Sequence, residues 1–118
     1  MGIERRRFPR INIKFSVECR GKNIWQKAES FNLSRGGMFI ATEKVEPPGT
    51  EINIIFEVGK ERKLIQVNAV VRWSRIRPEY KEKGEGLPAG MGVEFLRIFP
   101  SDAKDFLEEL IKTYIKKM

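Results

Sequence analysis

The sequence predicts a mainly β protein: a six-stranded antiparallel β-barrel followed by one C-terminal α-helix. Three observations lead there. Apolar and polar residues alternate in several short runs separated by Gly, Pro and Asn. The period changes once, after Pro100-Ser101, to three and four. A chain of 118 residues with 41% hydrophobic content supplies one core, whereas two domains would each be too small. Six strands at short spacing joined by turns favour a closed or nearly closed barrel over an open sheet with bare edges.

Ile11, Ile13, Phe15, Val17 and Cys19 alternate with Asn12, Lys14, Ser16, Glu18 and Arg20, the period of a strand with one buried face. Gly21-Lys22-Asn23 reads as a hairpin turn into a second strand, Ile24 to Phe31, whose looser alternation leaves its inward face open. Asn32-Leu33-Ser34-Arg35-Gly36-Gly37 reverses the chain into Met38-Phe39-Ile40-Ala41. Glu46-Pro47-Pro48-Gly49 breaks it, because proline removes ladder donors and glycine permits the turn. Ile52, Ile54, Phe56 and Val58 form a fourth row, and Gly59-Lys60 opens a hairpin into Ile65, Val67, Ala69, Val71 and Trp73. Pro78 to Gly90 reads as loop, and Met91, Val93 and Phe95 form the sixth strand. Phe106, Leu107, Leu110, Ile111, Tyr114, Ile115 and Met118 then make one helical stripe over about 101–117, with Ser101 as N-cap. Asp102 and Asp105 lie near its positive end and Lys112, Lys116 and Lys117 near its negative one. Residues 1–10 form a basic arm, and 11–118 form one barrel domain with its helix.

The formal charge is +7, from 23 basic and 16 acidic residues, which favours anionic partners. Arg5, Arg6, Arg7 and Arg10 stand against Glu4 alone in the arm. A solvated tail is the plain reading of such a run, but a guanidinium fork matches phosphates and planar acceptors better than lysine does. No apolar run approaches the roughly 20 residues that span a bilayer, and the charged N-terminus lacks a signal peptide's apolar core. The expected location is cytoplasmic.

Histidine is absent, which removes the commonest general base and zinc ligand together. Cys19 falls in an apolar row and reads as a small core residue. Ser34 has no adjacent base, the carboxylates form no recognisable pair, and no phosphate loop ends in Gly-Lys-Ser/Thr. No enzymatic role, metal or cofactor is expected.

Two spacings remain: Arg6-x-x-x-Arg10 before the first strand, and Asn32-x-Ser34-x-x-Gly37 after the second. With 11 arginines in the chain the first means nothing alone, whereas the second is rarely met by chance. Together they resemble the pair of motifs that marks the PilZ domain. Val71-Arg72-Trp73, Gly90-Met91-Gly92-Val93-Glu94-Phe95 and the C-terminal helix are also similar to that family's pattern, so the resemblance covers nearly the whole chain.

The resemblance implies a six-stranded barrel and a receptor for cyclic di-GMP. Arg6 and Arg10 would donate to guanine or phosphate, Asn32 would donate and accept on a base edge, Ser34 would bond base or phosphate, and Gly37 would let the backbone approach closely. Arg35 is either a further phosphate or stacking contact or a solvated charge. Phe8 and Pro9 shape the arm. Asn32 stands where many relatives carry aspartate and gives up the carboxylate's paired acceptor. Arg5, immediately before the first motif, is linked in that family to an intercalated pair of nucleotides instead of one. The implied receptor orders its arm on binding and signals to an unidentified protein partner. Two other readings stand beside it. One is a small basic barrel for single-stranded nucleic acid, with Trp25 and Trp73 as stacking platforms where core or rim packing is the plain alternative. The other is a PilZ-like adaptor that no longer takes the nucleotide.

Overall fold

The computed structural model describes residues 9–21, 25–80 and 86–117. Among these, the elements in order are β1 (Ile11–Arg20), β2 (Trp25–Leu33), β3 (Gly37–Ala41), β4 (Glu51–Val58), β5 (Lys63–Arg75), β6 (Glu79–Tyr80), β7 (Gly86–Leu87), β8 (Gly90–Phe99) and α1 (Ala103–Lys116). Six strands close an antiparallel barrel in the order β1-β2-β3-β8-β5-β4. The closing seam, β1 against β4, runs from Val17↔Phe56 to Arg20↔Asn53. The expected barrel and terminal helix are therefore present.

Alternation drives the closure, because every second side chain of each strand must leave water. Val17, Cys19, Leu33, Met38, Ile40, Ile54, Phe56, Ile65, Val67, Val71 and Met91 meet in one interior. Full burial of such side chains contributes about 1.5–3 kcal/mol each before chain entropy opposes it. Helix α1 packs against β8 and β1 and turns Ala103, Leu107 and Ile111 into the same core. Tyr114 and Ile115, at the far end of its apolar stripe, remain exposed. No helix among the described residues is long and apolar enough to cross a membrane.

Several elements differ from expectation. Residues 78–90 hold a small ladder, Glu79↔Leu87 and Tyr80↔Gly86, which at two residues a side leaves no periodic signal. Strand β8 runs on to Phe99, and register shifts in its pairing with β5, at Asn68/Ala69 and Val71/Trp73, break the alternation that would have extended it. The helix begins after Asp102, not Ser101, and makes no side-chain cap bond. The Asp102 carboxylate instead takes Lys63 Nζ at 2.7 Å, and that bond holds its pKa below the ordinary value. The expected hairpin at Gly21-Lys22-Asn23 lies largely outside the described residues.

The inward face of β2, left open by the sequence, is set by a bulge between Ser30 and Asn32. Ser30 points inward and is fully buried, its hydroxyl bonded to the Asn32 and Phe39 carbonyls at 2.8 and 2.6 Å. Leu33 is also fully buried, so the bulge keeps Ser30 and Leu33 inside although they are three residues apart.

Candidate functional site

The β2–β3 turn is held by its own side chains. Ser34 Oγ accepts from the Gly36 and Gly37 amides, each at 3.1 Å, and donates to the Gly37 carbonyl at 3.3 Å. The Ser34 amide adds a bond to the same carbonyl at 2.9 Å. Ser34 is 6% exposed, and its hydroxyl serves the turn. Asn32 Oδ1 accepts from the Phe39 amide at 2.9 Å, pinning β2 to β3 across the bulge. A single acceptor oxygen meets that need, so asparagine fills the structural part of the role as well as aspartate would.

Gly37 is required by the fold itself. A Cβ there would collide with the Val93 carbonyl oxygen on β8. The Gly36 carbonyl accepts from the Phe95 amide at 2.8 Å, a second tie from the turn to β8. The turn is thus fixed to two neighbours before any ligand arrives.

Strand β1 brings Arg10, the last residue of the first motif, to this place. Ile11 pairs with Leu33 and Asn12 with Asn32, so the chain entering β1 at the exposed Arg10 runs alongside the turn at Ser34. Arg5, Arg6 and Phe8 lie outside the described residues. Arg35, taken from sequence as a ligand contact or a solvated charge, is in an ion pair: its guanidinium lies 2.6 Å from Glu108 of α1, both side chains about one-third exposed. That carboxylate had no assigned role in the sequence reading.

Beside the turn lies an aromatic and basic surface. Phe39 and Trp73 stack with centroids 5.5 Å apart and planes 18° apart, and Phe31 lies 6.5 Å from Phe39. Trp73 remains 40% exposed and sits on the rim. The Arg75 guanidinium lies 5.1 Å from the Trp73 ring and 5.9 Å from Phe39. Its Nε is buried without a hydrogen-bond partner among the described residues, a polar group whose desolvation nothing there offsets. Gly90 and Gly92 make room for this stack, since a Cβ on either would strike the Phe39 or Trp73 ring. Trp73, Ser74, Arg75, Ile76, Arg77 and Pro78 border a cleft of about 660 Å³. Sequence reasoning raised Trp73 only as a stacking platform and left out Phe39 and Arg75. The spacing Trp73-x-Arg75 on one strand face was the available signal. Trp25, at 65% exposure, lies apart, its indole donating to Glu18 with Arg20 over the ring.

The arrangement suits binding. Cys19 is buried, and burial, then the Glu18 and Glu46 carboxylates, push its thiol up to about 12, so it is no nucleophile at neutral pH. No group of three or more metal-ligating side chains occurs among the described residues. Arginine, amide and aromatic faces are groups that can hold a planar, anionic molecule.

Comparison with known proteins gives the family and the fold. The family model for the PilZ domain matches residues 4–116. Among solved structures, the Bacillus subtilis inhibitor of motility MotI/DgrA superposes with a TM-score of 0.73 at 23% identity, covering 98% of this chain and 54% of that one. The PilZ domain of YcgR from Escherichia coli, solved with c-di-GMP, gives 0.70 at 19% identity over 97% of this chain and 94% of that one. MrkH, described as a c-di-GMP-dependent transcription regulatory factor, gives 0.66 at 18% identity over 98% and 53%. The chain thus spans about half the length of two of these three. Comparison with curated protein sequences finds no match.

Proposed function

This chain belongs to the PilZ family, and from that premise we propose that it is a non-enzymatic cyclic di-GMP receptor that orders its N-terminal arm on binding and signals to a protein partner. The observation that supports the reading is the β1–β2 register, which runs Arg10 alongside the Asn32–Gly37 turn although Asn32 follows it by 22 positions. In this reading Arg6 and Arg10 grip phosphate and guanine, with Arg5 as a third cation. Asn32 offers its amide nitrogen, since its oxygen serves Phe39. The Ser34 turn and Gly37 present backbone, Arg35 contributes charge, and the Trp73–Phe39 stack with Arg75 offers a base-sized platform. The YcgR domain of like fold was solved with this nucleotide. The receptor would work in the cytoplasm, where it needs no cofactor or metal.

Calorimetric titration with cyclic di-GMP tests the reading. Wild type should bind, and Arg6→Ala and Arg10→Ala should each weaken binding strongly while melting like wild type. A flat wild-type titration at high micromolar nucleotide would leave the ligand-free adaptor reading in its place. The exposed Trp73 face with Arg75 favours one second reading, single-stranded nucleic acid. Tighter binding of an oligonucleotide than of cyclic di-GMP would establish that instead.

A further inference from the structure

We propose that Glu108 is an internal rival of the nucleotide: its carboxylate holds Arg35 in the empty state, a ligand phosphate takes Arg35 from it, and the second half of α1 is loosened as the output. This rests on the cyclic di-GMP reading above. The Arg35 guanidinium and Glu108 are 2.6 Å apart, which makes α1 a direct partner of the β2–β3 turn. The turn's backbone is fixed by Ser34 Oγ and by the Gly36–Phe95 bond, so the side chain of Arg35, not its main chain, is the part able to change partner. Pro9 at the base of the arm, Arg35, Glu108, Ile111, Lys112 and Ile115 border one cavity of about 180 Å³, so arm, turn and helix converge there. A ligand seated between arm and turn brings negative charge close to the Glu108 carboxylate. Like-charge repulsion and competition for Arg35 then act in the same direction.

The helix is built to respond at one end. Its first half is anchored by the Lys63–Asp102 bond at 2.7 Å and by the fully buried Ala103 and Leu107. Its second half buries Ile111, while Tyr114 and Ile115 are 38% and 43% exposed. The Arg35 tie reaches α1 at Glu108, near the end of the first half and about one turn before Ile111, so its loss falls at the junction with the less securely packed residues that follow, where Ile115 is already exposed. A local opening of this kind requires no unfolding of the barrel.

The test titrates cyclic di-GMP into the whole chain and into Glu108→Gln, Arg35→Ala and the double variant, with hydrogen exchange of α1 recorded with and without nucleotide. Glutamine keeps the shape and helix propensity of Glu108 while removing its charge. The proposal expects Glu108→Gln to bind about two- to fivefold tighter than wild type, the scale of one partly exposed ion pair. It expects no such gain from the same change in the Arg35→Ala background, and faster exchange across 108–115 when wild type is liganded. Equal or weaker binding by Glu108→Gln, a gain that survives Arg35→Ala, or unchanged exchange in α1 would overturn the latch and leave the receptor reading standing. No binding by any of the four proteins would overturn both.

Discussion

Ser34, expected from the sequence to touch the ligand, also braces its own turn. Its hydroxyl accepts two amides and donates to a carbonyl, all within four residues. Ser34→Ala leaves the Gly36 and Gly37 amides without that acceptor, and an orphaned donor costs about 1–3 kcal/mol. Urea denaturation should find Ser34→Ala destabilised by about that much, and its nucleotide affinity should fall as the turn loosens. Unchanged stability would return Ser34 to a direct ligand role. Cys19 makes a pH prediction. Its thiol rises from 9.0 to about 12, chiefly by burial, so it stays protonated in the fold while the unfolded chain ionises. The contribution is full below about pH 9 and is lost as pH climbs toward 12, where the unfolded state binds fewer protons. Stability should therefore fall with pH above 9 more steeply in wild type than in Cys19→Ala, and a thiol reagent at pH 8 should label Cys19 only after denaturant is added. The inward place of Cys19 is legible from its alternating row. The Glu46 carboxylate near it is not, since Glu46 reads as part of a polar breaker and is 4% exposed in the fold.

At the scale of elements, the arm and the helix differ in what local sequence says about them. The helix declares itself through its stripe, but the stripe does not say that the side chain of its N-cap residue, Asp102, is bonded to Lys63 on β5 and makes no cap bond. The arm declares only its charge. On the function proposed above, four arginines close together would resist ordering until an anion neutralises them. Limited proteolysis should cut residues 4–10 readily without nucleotide and much more slowly with it. Equal cleavage in both states would point to a preformed site. The two-residue strands β6 and β7 and the shifts in the β5–β8 ladder were not legible, because each depends on a partner strand distant in sequence.

For the whole molecule the controlling quantity is charge. A chain of net +7 can gather anions that a neutral barrel would not, and an intercalated pair of nucleotides carries four phosphates into one site. Arg5 would offset part of the repulsion between them. Calorimetry should give two nucleotides per chain for wild type and one for Arg5→Leu, and saturating ligand should raise the melting temperature of both by mass action. A wild-type ratio of one, or no change in the variant, would remove Arg5 from the site.

The sequence by itself determined the barrel, the terminal helix, the buried cysteine and the two motifs, because each is written in spacing along a few consecutive residues. Only the tertiary structure decided that Arg10 meets the Asn32–Gly37 turn, that Gly37 is demanded by the Val93 carbonyl, and that Arg35 pairs with Glu108. It also decided that Phe39, Trp73 and Arg75 form one surface over Gly90 and Gly92. These are contacts between strands, or between strand and helix, far apart in the chain. Which residues meet there is set by register, bulges and closure, and those are properties of paired strands that no single stretch of sequence contains.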